Sequence, residues 1–389
     1  MRNIDLRLAA YDATPLFEAM LMMRTNSQWP ALGGAVLALL AAVLFGISTP
    51  LVQRFGAGLH PFWTAALLYA GAAMTGALTL RPAAQEARLQ RHDAPRLIAM
   101  AACGAALGPV LLAWGLAHTS GTAASLLLTL EAVCTVLLAR LLYGEQMDRR
   151  VKAALALLTA GGALLVLDQT LTPGAAASQW AGLMAVAGAT AAWGLDNTLS
   201  RGLAERDPGQ VVLGKSLLGA AATAGLALAV GAPLPAPATA LALLATGAAG
   251  YGLSLRLYLL AQRAFGVART GSVFAFAPFI GAVTAYGLGE RGSSVWLIAS
   301  ALLMLAGVVL HLAEQHGHAH AHDALEHEHA HRHDDGHHAH AHSHEQAHGR
   351  THGKTQEAAP AGAHSHWHRH EPVAHAHPHV PDAHHTHRH

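Results

Sequence analysis

From Ala31 to Leu312 the chain is a succession of apolar runs of about 20 residues, the length one helix needs to cross a hydrocarbon core of roughly 30 Å. The pattern predicts ten such spans, at 31–52, 60–80, 96–117, 122–142, 150–167, 179–199, 209–230, 238–262, 268–288 and 293–312. The connections between them are short, so no soluble domain is expected to interrupt the run. Near residue 313 the pattern changes to His alternating with small and acidic residues. The chain therefore divides into a leader, 1–30, two apolar halves, 31–167 and 179–312, and a His-rich tail, 313–389.

Charge in the connections sets the expected orientation, because Lys and Arg are retained on the cytoplasmic side. One set of connections holds Arg81, Arg88, Arg91 and Arg96, then Arg140, Arg149, Arg150 and Lys152, then Arg201, Arg206 and Lys215, then Arg256, Arg263 and Arg269. The alternate set holds only Arg54 and Arg291. Both termini are thus expected in the cytoplasm of a chain integral to the plasma (inner) membrane. The leader carries Arg2, Arg7 and Arg24 but no apolar core of a signal peptide, so span one is expected to serve as an uncleaved insertion signal.

Composition sharpens this picture. Hydrophobic residues make up 52% and charged residues 12% of the chain, about half the charged fraction of a soluble domain. With 24 Lys and Arg against 23 Asp and Glu, no positive excess exists to hold a nucleic-acid backbone. Cys103 and Cys134 both lie in apolar runs, too few and too far apart for a disulfide framework or a CxxC metal site.

The apolar region also repeats itself. An offset of 145 residues aligns Gly121 with Gly266, Gly144 with Gly289, Glu145 with Glu290 and Gly162 with Gly307, and an offset of 148 aligns Phe45-Gly46 with Trp193-Gly194. Five spans per half is an odd number, so the second copy would enter the membrane upside down. The expected fold is an all-α integral membrane protein with ten transmembrane helices as two inverted five-helix repeats, followed by a disordered tail.

Gly121 to Glu145, GTAASLLLTLEAVCTVLLARLLYGE, followed by Gly161-Gly162, and Gly266 to Glu290, GVARTGSVFAFAPFIGAVTAYGLGE, followed by Gly307, resemble the EamA-type members of the drug/metabolite transporter superfamily. The resemblance covers all ten spans. That family usually writes Leu-Glu-Pro in this helix; here the first half has Leu130-Glu131-Ala132, and the second has Ala277-Pro278 with Phe276 in the place of the acid. The resemblance implies a secondary transporter, not an enzyme, with a small-molecule substrate, a lipid bilayer around it and no required cofactor.

Ionisable groups inside a membrane helix are costly and are functional candidates by default. Glu131, near the centre of span four, is the leading one, suited to a cationic group or a coupling proton. Asp196 and Asn197, after Trp193 in span six, are placed to line a cytoplasmic mouth. Arg256 in span eight is placed to pair with an acid or a substrate carboxylate, or to snorkel. Trp63, Tyr69, Trp114, Trp193 and Phe274 are aromatic candidates for a cavity wall or an interfacial belt, and Trp193, beside Asp196, is taken with the substrate-binding candidates. Glu145 and Glu290 each close a helix and are expected to be structural. GQVVLGKS, from Gly209 to Ser216, matches a phosphate-loop pattern but follows Arg206-Asp207-Pro208 rather than a buried strand, so it is set aside and Lys215 is read as snorkelling.

Of the chain's 30 histidines, 26 lie from His316 onward. They form blocks: His316, His318, His320 and His322; His327, His329, His331 and His333; His338, His340, His342 and His344; and His364, His366, His368 and His370, each followed by an acidic residue. Such blocks supply nitrogen ligands for Zn, Ni, Co or Cu. Two HExxH strings, His327 to His331 and His344 to His348, are products of this composition. Three functions compete: exporter of a small organic metabolite, divalent-metal efflux transporter fed by the tail, and metal buffer anchored by the bundle.

Overall fold

The computed structural model describes residues 29–80, 87–143, 147, 149–171, 177–203, 206–265, 267–290, 294–312, 316–322, 325–331, 364–370 and 373–379. The leader through residue 28, Glu145, His333 and the block His338 to His344 lie outside them. The described helices are α1 (Trp29–Gly56), α2 (Pro61–Leu78), α3 (Arg91–Leu116), α4 (Gly121–Leu142), α5 (Arg149–Leu171), α6 (Ala177–Ser200), α7 (Pro208–Ala229), α8 (Pro237–Gln262), α9 (Val267–Phe274), α10 (Ala277–Gly287) and α11 (Val295–Leu312).

The expectation of ten transmembrane helices in two inverted five-helix repeats is overturned. Among the described residues six helices are long and apolar enough to cross a membrane: Gly33–Gly56, Arg91–Leu116, Gly121–Leu142, Arg149–Asp168, Pro208–Ala229 and Pro237–Gln262. Four of these precede residue 170 and two follow it, so the halves are not matching five-span sets. The other four predicted spans fail for identifiable reasons. The 18 residues of α2 include Pro, Trp, Tyr, two Thr and two Gly, and α6 carries Ser, Gln, Thr, Asp and Asn. The predicted span 268–288 is broken into α9 and α10 by a turn at Ala275-Phe276, where Pro278 begins the new helix. The last apolar stretch, Val295–Leu310, is short.

The helices nonetheless form one bundle: α2 packs on α7 and α8, α1 on α8 and α10, α6 on α3 and α4, and α11 on α5. Its outer surface is apolar, with Leu78 85%, Leu141 78% and Val283 72% exposed, which suits lipid and not water. The chain is an integral membrane protein. Glycine permits the closest crossings. Where α2 meets α8, a Cβ on Gly247 would fall 2.6 Å from the Leu68 carbonyl carbon. Gly247→Ala is therefore expected to lower stability by about 1–3 kcal/mol through overpacking. A thermal melt of the detergent-solubilised chain checks this, and a wild-type melting temperature would refute the crossing.

Parts of the tail are described as strands. Four strands, β1 (His316–His322), β2 (Leu325–His331), β3 (His364–His370) and β4 (Val373–His379), pair antiparallel as β1 with β4 and β2 with β3. His at every second position is itself a period-two pattern, which suits a strand. The first HExxH string lies in β2, not on the helix such a zinc site needs.

Candidate functional site

A cavity of about 480 Å³, counting the mouth open to solvent, lies between α1, α2, α4, α6, α7, α8 and α9. Its charged and amide groups are Glu131, Asp196, Asn197 and Lys215, and its wall is aromatic: Phe45, Tyr69, Trp193, Tyr251, Tyr258 and Phe274. Each group is delivered by a local irregularity in a helix.

In α4 a turn at Leu128-Thr129 interrupts the helix, and a new helical piece, Leu130–Tyr143, starts inside the bundle. Glu131 stands in its first turn, where the helix dipole favours a carboxylate. Asn197 donates from Nδ2 to Glu131 Oε1 at 2.5 Å, tying α6 to α4. On the same α6 turn, Asp196 forms a buried ion pair with Lys215 of α7, the two residues being 5% and 2% exposed. Asp196 Oδ1 is buried and has no hydrogen-bond partner among the described residues. Asp196 is thus a deeply buried acid in the lining of the cavity.

In α3, residues Ala101–Leu107 form a π-helical turn just before Pro109, which has no N–H to give to the carbonyl of Ala105. The turn presents the Gly104 carbonyl, which accepts from both the Tyr69 hydroxyl and Trp193 Nε1, the latter at 2.9 Å. Gly104 has no alternative side chain available, since a Cβ there would collide with the Asp196 carboxylate. A second π turn, Ala248–Leu253 in α8, carries Tyr251 between Gly250, which faces Ser48, and Gly252, which faces Thr75.

The rings meet one another steeply and enclose the space from several sides. Phe45 approaches Trp193 at 5.8 Å and 81°, and Tyr251 at 5.7 Å and 64°; Tyr258 approaches Phe274 at 5.0 Å and 68°. Among the described residues no group of three His, Cys, Asp or Glu is gathered to hold a metal ion.

The structure brings Glu131, Trp193, Asp196 and Asn197 together, and adds Tyr69 and Phe274 from the aromatic candidates. It places Arg256 elsewhere, donating to the Thr79 carbonyl at 3.0 Å. Trp63 donates to the Ala232 carbonyl at 3.2 Å, and Trp114 stacks on His118, both away from the cavity. Lys215 is the main correction: it does not snorkel but points inward to Asp196. Its depth was legible, since it stands seven residues beyond Pro208, roughly 10 Å into the helix. Phe45, Tyr251 and Tyr258 were passed over, although Phe45-Gly46 had already aligned with Trp193-Gly194.

Glu290 acts at a distance from the cavity. Gly289 turns the chain at φ +114°, and the Glu290 carboxylate accepts from the Gly121 and Thr122 amides, both at 2.8 Å, capping α4. Glu290→Ala is expected to cost about 1–2 kcal/mol of stability while the folded fraction keeps its ligand binding. Parallel melting and binding measurements check the two halves of that statement; binding lost at full stability would contradict it.

Residues 32–167 match the model of the EamA-like transporter family. An uncharacterized transporter of Methanothermobacter thermautotrophicus is 25% identical over 295 residues, covering 72% of this chain and 86% of its own. A crystal structure described only as that of a protein is 20% identical, with a TM-score of 0.54, covering 71% of this chain and 96% of its own, and so shares the fold.

Proposed function

We propose that this chain, a distant homologue within the EamA-like and drug/metabolite transporter superfamily, is a secondary transporter that exports a small organic solute through the cavity around Asp196. General secondary-transporter character follows from that homology, and it implies a carrier rather than an enzyme. The solute, the outward direction and exposure of the cavity to each side in turn are the proposed part.

The observation that carries the reading is the grouping of three ionisable side chains, Glu131, Asp196 and Lys215, deep among membrane helices in the lining of one aromatic cavity, where such groups are costly unless used. The test is solute exchange. Proteoliposomes holding the full chain are loaded with a cell extract, and solutes appearing outside are identified by mass spectrometry against empty vesicles. Protein-dependent appearance of a small solute supports the reading, and its failure in either orientation overturns it.

Metal as cargo is disfavoured, because transport sites for divalent cations need several convergent ligands and the described residues gather none. Metal at the tail is a separate matter. The register sets His316, His318 and His320 opposite His379, His377 and His375, and His327, His329 and His331 opposite His368, His366 and His364. The tail's His blocks are the candidate nitrogen ligands for Zn, Ni, Co or Cu. Calorimetric titration of the full chain with Zn is expected to show binding that is lost on truncation after His311 or with excess chelator, while solute exchange by the truncated chain persists. Exchange lost together with the tail would instead couple the metal to the carrier.

A further inference from the structure

We infer that the way between the cavity and the α3–α4 end of the bundle runs along α4, past Thr129 and Ser125, and that the Glu290 carboxylate is the latch that holds it shut. The inference rests on the carrier reading and adds the gate that reading needs. Depth gives the first argument. Asp196 stands four residues before the end of α6, and Lys215 and Phe274 stand seven residues after Pro208 and Val267, all within roughly 10 Å of the end that carries the α2–α3 connection. Glu131 lies ten residues beyond Gly121 in α4, roughly 15 Å from the opposite end. Between Glu131 and that opposite end the helices close into a tight three-way crossing. A Cβ on Gly46 of α1 would fall 2.9 Å from Ile280 Cβ of α10, and a Cβ on Gly281 would fall 2.8 Å from Ser125 Oγ of α4 and 3.0 Å from the Gly46 carbonyl oxygen.

Hydroxyl groups give the second argument. Thr122, Ser125 and Thr129 succeed one another at intervals of three and four, which sets them on one face of α4. Ser125 is fully buried and Thr129 is 2% exposed, and among the described residues neither hydroxyl has a hydrogen-bond partner. A buried hydroxyl without a partner is costly, and water entering between α4 and α10 would supply one. Opposing that opening are two ties at the rim. Glu290, just beyond α10, accepts through one oxygen from the Gly121 amide at 2.8 Å and through the other from the Thr122 amide and hydroxyl at 2.8 and 2.7 Å. Gln53, near the end of α1, donates from Nε2 to the Thr119 carbonyl at 3.1 Å. Glu290 and Gln53 are both half-buried, so each can turn to water when the helices part and bond again when they close.

The experiment uses the purified full chain carrying Cys103→Ala and Cys134→Ala, with one thiol placed by Ser125→Cys or, as the control, by Thr223→Cys. Thr223, on α7, is equally buried, and its hydroxyl donates to the Gly219 carbonyl of its own helix. The probe is sulfonatoethyl methanethiosulfonate, a charged reagent that reaches a thiol only through water. Adding Glu290→Ala is expected to speed modification at position 125 at least tenfold and to leave position 223 within twofold. A carboxylate of purely structural value would loosen both positions alike or neither, and either result overturns the latch. Should Glu290→Ala fail to fold, Gln53→Ala is expected to speed modification at position 125 about threefold, and an unchanged rate overturns the inference. Solute exchange in proteoliposomes supplies the second arm. With Thr122→Cys and Glu290→Cys joined by a short bis-methanethiosulfonate linker, exchange is expected to fall at least tenfold and to return with dithiothreitol; exchange indifferent to the linker overturns the gate. The two arms also separate the readings. Labelling at position 125 that answers to Glu290→Ala, in a chain that exchanges no solute even unlinked, upholds the latch and overturns the carrier. Exchange by a chain whose position 125 ignores Glu290→Ala upholds the carrier and overturns the latch.

Discussion

Asp196→Asn is expected to be the most destructive single substitution in the bundle. It leaves the Lys215 ammonium, 2% exposed, without its counter-charge, and a buried pair broken on one side costs about 3–5 kcal/mol. That is a large part of the stability of most proteins, so the detergent-solubilised variant is expected to aggregate on size exclusion. The paired change Asp196→Asn with Lys215→Met removes both charges and is expected to recover most of the folded material, because an apolar side chain of similar volume can fill the Lys215 site. The recovered protein should still fail to exchange solute. A monodisperse Asp196→Asn variant with a wild-type melting temperature would show that the ion pair is not what holds Lys215 inside.

Glu131→Gln is the complementary case, with a large expected effect on transport and a small one on folding. Its partner is neutral: Asn197 donates to Glu131 Oε1, and a glutamine offers an amide oxygen at the same place. Folded yield should be within about twofold of wild type, whereas solute exchange should fall at least tenfold, since a glutamine offers neither a charge for a cationic group nor a carboxyl to carry a coupling proton. Equal exchange by the variant would remove Glu131 from the mechanism.

The sequence announced a membrane bundle because apolar runs of helical length are a strong signal, and it announced the acids because charge within such a run is conspicuous. The number of spanning helices was misread for the same reason. A sliding apolar pattern does not register the turn at Ala275-Phe276, nor does it discount the Ser, Gln, Asp and Asn that make α6 too polar. In the tail, the count of histidines pointed to disorder, while the strands among its described residues follow their alternation. For the site, the inward turn of Lys215 was invisible because its partner lies 19 residues away on another helix. The π turns were equally hidden, as nothing in AACGAAL or AAGYGL separates a π turn from an ordinary helical one.

The Gly104 carbonyl has a consequence for the breadth of solutes the protein can accept. Two aromatic side chains from different helices share that one oxygen, so neither the indole of Trp193 nor the phenol of Tyr69 can swing aside without stranding a buried donor. Phe45, packed edge-on against Trp193, and Phe274, packed against Phe45, have no polar atom to anchor and are restrained only by their neighbours. Part of the wall is thus a fixed template and part a cushion. Solutes that differ in bulk on the cushioned side will be handled alike, while those that differ against the template will be told apart.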